Sequence, residues 1–230
     1  MSERRSVLFY FDFVSPYSWL ALAAAPEFAR EHGIAWTLRP VVYAKLLDAT
    51  GLVGPAEVPV KRRYTFHDVA RCARRAGLRL AGPPEHPFRS LESLRTVCLF
   101  SDHPRVLDLA VALADAAWGE GRALTDPCVL EAVVRGVGLD PRDLGSRLAD
   151  PAVKAALRQS TEEALAVGVF GVPTLRLGDE LFWGHDRMNH LADRLAGRLG
   201  APAGDAEALL ARPRGADRLA RPGADGANPR

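Results

Sequence analysis

The feature that most constrains this chain is an apolar segment near the N-terminus that leads directly into a helix. Val7 to Val14 is almost entirely β-branched, aliphatic or aromatic, with one acidic interruption, which is typical of a buried strand. Pro16 lacks an N–H and suits the first turn of a helix. Ser15 is therefore the predicted N-cap of a helix that continues to about His32 and is closed by Gly33.

A strand that passes straight into a helix start has a chemical consequence. Several unpaired N–H groups and the positive end of the helix dipole meet at one point. Such a point binds anions, thiolates included. The same residues are also consistent with a well-capped helix behind a buried strand, without any chemistry. The local sequence leaves both interpretations open.

Composition limits the class of protein. The chain has 230 residues, 48% apolar and 25% charged, enough for one domain with an insertion or for two small domains. With 30 basic and 28 acidic residues the net charge is +2, so composition indicates no strongly charged partner. Arg71, Arg74 and Arg75 form a basic cluster, but no aromatic residues interleave with it. A solvated helix face is favoured over a nucleic-acid patch.

Cysteine usage and the hydropathy pattern suggest the compartment. Cys72, Cys98 and Cys128 are an odd number of thiols without C-x-x-C or zinc-ligand spacing. They predict buried structural cysteines, a cytoplasmic setting and no metal site. No apolar run approaches the roughly 20 residues that span a bilayer, so no membrane partner is expected. Because Asp12 breaks the first apolar run, we interpret that run as a strand of the mature protein and not as a signal peptide.

The order of the remaining elements indicates an α/β protein with a helical middle. Residues 34–40 alternate as a strand and complete a parallel βαβ unit. A short helix is predicted within residues 41–50 and a loop at 51–55. Further helices are predicted at residues 61–76, 91–100, 104–118, 127–137, 141–148 and 151–167, with Asp126, Asp140 and Asp150 as N-caps. Residues 172–183 predict a β-hairpin, followed by a last helix from Asp186.

The junction also carries a resemblance. Phe-Asp-Phe-Val-Ser-Pro-Tyr-Ser-Trp-Leu, residues 11–20, is similar to the opening of 2-hydroxychromene-2-carboxylate isomerases and of kappa-class glutathione transferases. Ser15 to Ser18 resembles the position of Cys-x-x-Cys in thioredoxin-like proteins of the DsbA type. The resemblance implies an α/β fold with a thioredoxin-like domain (residues 1–55 and 165–199) and an inserted all-helical domain (56–164). Residues 200–230 are expected to form a mobile tail, with at most a short turn around Glu207 to Ala211.

The hydroxyl of Ser15 decides between mechanisms. A hydroxyl cannot form a mixed disulfide, so thiol–disulfide exchange is not expected. As a nucleophile Ser15 would need a base, and no histidine lies near it in the sequence. As a hydrogen-bond donor it would lower the pKa of a thiol placed beside it. The predicted role of Ser15 is to stabilise the thiolate of glutathione, the cofactor that the resemblance implies.

Pro173 carries a second part of the resemblance. Thioredoxin-like folds have a proline at this strand start that is usually cis and faces the active-site helix. Val172 would then expose its backbone N–H and C=O to an extended peptide such as glutathione. The alternative is an ordinary proline at the start of an edge strand.

A third part lies in the turn after the hairpin, at Trp183, Gly184, His185 and Asp186. In the family this turn receives the γ-glutamyl end of glutathione. The N–H groups of His185 and Asp186 would take its carboxylate, and the Asp186 side chain its ammonium. Asp186 is also a natural N-cap for the last helix. His185 stands where relatives have a smaller polar residue.

The loop before the helical middle completes the predicted site. Lys61 matches a family lysine that meets the other carboxylate of glutathione, whereas Leu52 stands where relatives tend to carry Asn. Arg89 is a candidate partner for a substrate carboxylate. The candidate wall for a second substrate consists of Tyr17, Trp36, Tyr43, His86, Phe88 and Arg89.

The resemblance implies a glutathione-dependent isomerase that acts on a small aromatic ring-fission product in aromatic catabolism, as a homodimer and without nucleic-acid or membrane partners. In a kappa-like transferase, the first alternative, the thiol would stay attached to the product. A glutathione-binding module without turnover is the second alternative.

Overall fold

The computed structural model describes residues 5–200, 204–213 and 215, which fall into two units that divide between Leu199 and Gly200. The strands of the first unit are β1 (Arg5–Phe11), β2 (Ile34–Pro40), β3 (Thr174–Leu177) and β4 (Glu180–Trp183). Its helices are α1 (Pro16–His32), α2 (Tyr43–Thr50), α3 (Pro59–Arg75), α4 (Leu91–Leu99), α5 (Val106–Trp118), α6 (Pro127–Gly136), α7 (Leu144–Ala149), α8 (Pro151–Ala166) and α9 (Met188–Leu195).

The four strands form one mixed sheet in the order β2-β1-β3-β4. β1 and β2 run parallel, with Phe9 opposite Leu38, and α1 connects them. β3 runs antiparallel to both β1 and β4, with Leu175 opposite Phe9 and Phe182. The predicted βαβ unit and C-terminal hairpin are confirmed, and the fold is the predicted α/β fold.

Helices cover both faces of the sheet, and β1 shows this through the alternation of its side chains. Phe9 and Phe11 are fully buried on the face that packs against α1 and α5. Tyr10 points to the opposite face, where it joins Leu46 of α2 and Ala164 of α8. Because both faces are covered there, β1 is apolar or aromatic from Val7 to Phe11, after two exposed polar residues at its start.

The junction between β1 and α1 has the predicted caps. The Ser15 hydroxyl accepts a hydrogen bond from Ser18 N at 3.2 Å, and Pro16 occupies the first position of the helix. At the other end Gly33 has φ 62°, a left-handed conformation that glycine adopts without steric strain. The central element of the sequence prediction is therefore confirmed.

The aspartate caps in the helical middle are confirmed at two of three positions. Asp126 and Asp150 accept hydrogen bonds from the first turns of α6 and α8. The predicted cap at Asp140 is wrong, because α7 begins only at Leu144. Asp140 instead holds Arg142 through its backbone N–H and its guanidinium.

Helices α3 to α8 lie between β2 and β3 in the chain, in the segment where an inserted helical domain is predicted. In the second unit, a helix α10 (Gly204–Leu210) occupies part of the segment for which we expected a mobile tail with at most a short turn. The rest of that predicted tail, residues 201–203, 214 and 216–230, lies outside the described residues.

The three cysteines are free thiols. Cys72 and Cys98 are partly buried, but Cys128 is exposed, so the prediction of buried cysteines is wrong there. Cys128 lies in the solvent-facing first turn of α6, where its N–H is capped by Asp126. Of the helices in the described ranges, none is both long enough and apolar enough to traverse a bilayer.

Candidate active site

Ser15 lies at the start of α1 and faces the turn before β3. Its hydroxyl donates to the Val172 carbonyl at 3.4 Å, a long contact, while it accepts from Ser18 N. The residue is 8% exposed, and it lines a cavity of about 690 Å³. In the described part of the chain the Tyr17 N–H, in the first helical turn, has no hydrogen-bond partner. Two donors, the Ser15 hydroxyl and this N–H, therefore lie close together at the start of the helix.

Side chains hold the short loop that precedes Ser15. The Trp118 indole N–H donates to the Phe13 carbonyl at 2.8 Å in a fully buried contact. His86 Nε2 lies 3.0 Å from the Val14 carbonyl, which can only accept, so Nε2 carries the proton. Burial lowers the pKa of His86, which favours this neutral form. Trp118 and His86 thus fix the backbone directly before the site.

Asp12 is a second support of the same loop. Its carboxylate accepts from Val14 N at 3.1 Å and from Tyr43 N at 2.9 Å, and it is 2% exposed. Burial raises the pKa of Asp12, and hydrogen bonds from Ser90, Tyr43 and Val14 act in the opposite direction. Asp12 therefore connects the end of β1 to the start of α2, and both Asp12 and Tyr43 line the cavity.

The Val172–Pro173 peptide bond is cis, as the resemblance implied. Gly184 N donates to the Pro173 carbonyl at 2.9 Å, which joins the turn after β4 to the turn before β3. Within the described residues the Val172 N–H has no hydrogen-bond partner, and Val172 lines the cavity. A peptide backbone group is thus available at the cavity wall, across from Ser15.

His185 packs on Tyr17 with nearly parallel rings, 5.1 Å between centroids and 13° between planes. The Tyr17 hydroxyl donates to Asp68 Oδ2 at 2.8 Å, which fixes this stack to α3. Burial and the Asp68 carboxylate both raise the pKa of Tyr17. Burial lowers the pKa of His185, against the opposing effect of the Asp186 carboxylate. Both rings are therefore uncharged at neutral pH.

Asp186 lies in a 3-10 turn before α9 and does not cap that helix. Its carboxylate instead pairs with Arg187 at 2.7 Å and remains largely exposed at the cavity. Gly184 has φ 111°, and a Cβ there would lie 2.7 Å from Asp186 Oδ1, so the turn requires glycine. Trp183 is 54% exposed and packs on Phe170 at the cavity edge.

The cavity brings together most of the predicted site residues from both ends of the chain. Members of the predicted set that line it are Ser15, Tyr17, Tyr43, His86, Phe88, Arg89, Val172, Trp183, Gly184, His185 and Asp186. Two predicted members lie elsewhere. Lys61 is exposed on α3 outside the cavity lining, and its contact with glutathione stays a prediction. Trp36 packs on Phe9 and Phe28 in the core, where its N–H donates to Ala25 O.

Sequence reasoning missed three groups of this site. Asp12 appeared only as an interruption of the strand, although a lone acid in a buried segment is itself a signal of a specific role. Trp118 looked like an ordinary core residue of α5. Arg62 lies on α3 and lines the cavity. In the sequence it belongs to a run of basic residues, and the helical periodicity did not show which of them faces the site. Among the described residues, no group of three or more His, Cys, Asp or Glu side chains is arranged so that it could hold a metal ion.

The arrangement fits a bound thiol peptide. A serine hydroxyl and a helix-start N–H are the kind of donors that stabilise a thiolate. A free backbone N–H at Val172 suits an extended peptide, and a carboxylate at Asp186 suits an ammonium. The aromatic side chains Tyr43 and Phe88 on the remaining wall suit a flat apolar molecule.

Comparison with known proteins places these features in context. Residues 6–196 match the model of the DSBA-like thioredoxin domain. The chain is 32% identical over 197 residues to 2-hydroxychromene-2-carboxylate isomerase of Sphingobium xenophagum, covering 83% of this chain and 98% of that one. It is also 27% identical to glutathione S-transferase kappa 1 of Homo sapiens, covering 83% and 91% of the two chains.

A solved structure shows the same architecture. A selenomethionine structure of 2-hydroxychromene-2-carboxylate isomerase superposes with a TM-score of 0.77 at 29% identity. The match covers 90% of this chain and 100% of that one. The similarity therefore extends over the whole arrangement of sheet and helices.

Proposed function

The chain belongs to the DSBA-like thioredoxin domain family and, within it, to the 2-hydroxychromene-2-carboxylate isomerases, and we propose from this that it is a glutathione-dependent isomerase in which Ser15 stabilises the glutathione thiolate. Membership in this family makes the chain an enzyme. The thiol cofactor, the role of Ser15 and the substrate are the parts that we propose.

The observation that carries the proposal is the position of the Ser15 hydroxyl. It lies at a helix start and lines the cavity, and the hydrogen bond that it donates, to the Val172 carbonyl, is long. A hydroxyl hydrogen rotates freely, so it can turn from that carbonyl to a sulfur beside it at little cost. A charge-assisted hydrogen bond to a thiolate is stronger than the neutral bond that it replaces.

Residues of both turns would bind the peptide. The Val172 N–H and C=O would pair with the cysteinyl backbone, as in the addition of a short strand. The N–H groups of His185 and Asp186 have no partner within the described ranges and would receive the γ-glutamyl carboxylate. The Asp186 carboxylate would bind the ammonium, and Trp183 and Gly184 would border this end of the peptide.

When bound, glutathione supplies a thiolate that adds reversibly to a conjugated system and so allows a carbon–carbon bond to rotate. Ser15 and the Tyr17 N–H would hold this sulfur in its deprotonated form at neutral pH. Trp118, His86 and Asp12 hold the loop that positions them. Tyr43, Phe88 and His86 also line the cavity and would limit the access of water to the sulfur.

A kappa-like transferase is the second candidate, because relatives with that name align over most of the chain. The same residues would then stabilise the same thiolate, but the thiol would stay attached to the product. A binding module without turnover is not retained, since the family consists of enzymes. We also propose that the protein is a cytoplasmic homodimer that acts in aromatic catabolism, and this part of the proposal rests on the family alone.

The experiment is a turnover assay with 2-hydroxychromene-2-carboxylate, analysed by mass spectrometry. With glutathione we expect a product of unchanged mass, and with S-methylglutathione, which has the same peptide without a free thiol, no turnover. A product heavier by one glutathione supports the transferase instead. Equal turnover in the presence and absence of a free thiol contradicts both.

A further inference from the structure

Three arginines line the cavity, and they differ in their partners. Arg89 pairs with Glu92 at 2.7 Å, and Arg187 pairs with Asp186 at 2.7 Å. Arg62 has no carboxylate within ion-pair distance anywhere in the described part of the chain. It is therefore the one arginine of the three whose charge the described residues leave unmatched.

Neighbouring groups nonetheless hold the guanidinium of Arg62 in place. Its central carbon lies 5.0 Å from the centroid of the Phe66 ring, in a cation–π arrangement. Nη2 donates to the His86 carbonyl at 3.4 Å. A guanidinium has five N–H donors in a planar fork, so most of its donors stay available for a planar anion.

His86 connects this guanidinium to the reaction site. Its ring bonds to the Val14 carbonyl, directly before Ser15, and its own carbonyl meets Arg62. A single residue, His86, thus contacts both the loop before Ser15 and the guanidinium of Arg62. Phe88 follows along the same wall and gives it an apolar surface.

From these contacts we propose that Arg62 binds the carboxylate of the second substrate, and that the cavity selects flat conjugated acids over their neutral analogues. The inference rests on the proposed function and adds the residue that determines acid specificity. It replaces the sequence-based prediction for Arg89, because that guanidinium already pairs with Glu92. It assigns no role to Lys61.

Glutathione also has carboxylates, and the contacts proposed for its cysteinyl and γ-glutamyl parts lie on the hairpin side of the cavity. Lys61, predicted to meet its other carboxylate, lies outside the cavity lining. Val172 and Asp186 belong to the turns on either side of that hairpin. Arg62 instead contacts Phe66 and His86, which belong to the helical segment between β2 and β3. Because Arg62 lines the cavity and Lys61 does not, Arg62 is assigned to the second substrate, and the affinity for S-methylglutathione tests whether it meets the other carboxylate of glutathione instead.

The test is a binding titration with a matched pair of probes, 1-naphthoate and 1-naphthamide, in the presence of S-methylglutathione. It needs no turnover, so it is separate from the assay of the proposed function. The variant is Arg62→Met, which keeps an unbranched apolar stem on Phe66 and removes the charge. The control is Arg63→Met, with the same charge change on the same helix but outside the cavity lining.

Wild type and Arg63→Met should bind the acid about 10- to 100-fold more tightly than the amide, because a charged hydrogen bond contributes about one to two decades in affinity. In Arg62→Met this preference should disappear, with amide and S-methylglutathione affinities unchanged. The proposal is overturned if Arg62→Met keeps the preference for the acid, if wild type has none, or if S-methylglutathione affinity falls by the same factor.

Discussion

The Ser15 hydroxyl and the Val172 carbonyl meet at 3.4 Å although 157 positions separate the two residues in the chain. This contact joins the start of α1 to the cis turn before β3. Ser15 belongs to the first part of the sheet-containing segment and Val172 to the last. The whole helical middle therefore separates the two halves of the candidate site in the sequence.

The long distance of this contact has a functional meaning. A neutral hydrogen bond at 3.4 Å contributes little to stability, so a ligand can compete for the hydroxyl. The Ser15 oxygen also accepts a hydrogen bond from Ser18 N, which fixes the oxygen while the hydroxyl hydrogen remains free to turn. The position of the oxygen is thus determined before a ligand arrives.

The buried carboxylate of Asp12 should be required for stability. Asp12→Ala leaves the partly buried N–H groups of Val14 and Tyr43 without this acceptor, which costs up to about 1–3 kcal/mol for each unsatisfied group. We expect a clear decrease in the free energy of unfolding, measured by urea denaturation. Asp48→Ala is the control, because Asp48 pairs with Lys45 at the surface and should change the free energy by less than about 0.5 kcal/mol. Equal effects of the two substitutions would show that the Asp12 contacts are not important.

His185 should make the fold less stable as the pH falls. Burial lowers its pKa in the folded protein from the ordinary 6.5, so near and below that value the unfolded chain binds more protons. The free energy of unfolding should therefore decrease between about pH 7.5 and pH 5.5. His185→Ser should weaken this dependence, whereas Asn189→Ser, which changes no titratable group at an exposed position of α9, should leave it as in wild type. An unchanged pH dependence in His185→Ser contradicts the expected proton linkage.

Asp186 should recognise the ammonium of glutathione. Asp186→Asn should weaken glutathione binding about tenfold in calorimetry, because it replaces a charged contact by a neutral one. A glutathione analogue without the amino group should bind wild type and the variant with the same affinity. Asp179→Asn, in the hairpin turn where Asp179 pairs with Arg176, is the control and should bind as wild type does. If the analogue loses as much affinity as glutathione in Asp186→Asn, the ammonium is not the group that Asp186 binds.

Local sequence was sufficient for the elements that depend on local chemistry. Ser15 and Pro16 define a helix start through a hydroxyl acceptor and a missing N–H, and both effects act within one turn. Gly33 ends the same helix because of its own backbone freedom. Such features were correct wherever one short segment decides the outcome.

The partners of polar side chains were not accessible in the same way, even where the partner is a close neighbour in the chain. Asp140 was predicted as a cap from its place before Pro141, but Arg142 competes for its carboxylate. Arg89 was selected as the anion-binding residue, yet only the structure shows that Glu92 pairs with it. Asp12 interrupts an apolar run in the sequence, and its partner Tyr43 lies 31 positions away. Partner choice depends on the fold, which the linear pattern does not contain.

A thiol bound beside Ser15 should have a lowered pKa. This pKa can be measured directly by following the ultraviolet absorbance of the thiolate of bound glutathione as the pH is changed. A free thiol has a pKa of about 8.5, and for glutathione bound to wild type we expect a pKa at least about one unit lower. Ser18→Ala should give the wild-type value, because the Ser18 hydroxyl is buried and has no partner among the described residues. Ser15→Ala should return the pKa most of the way to the free value. Identical pKa values in wild type and Ser15→Ala would contradict the account.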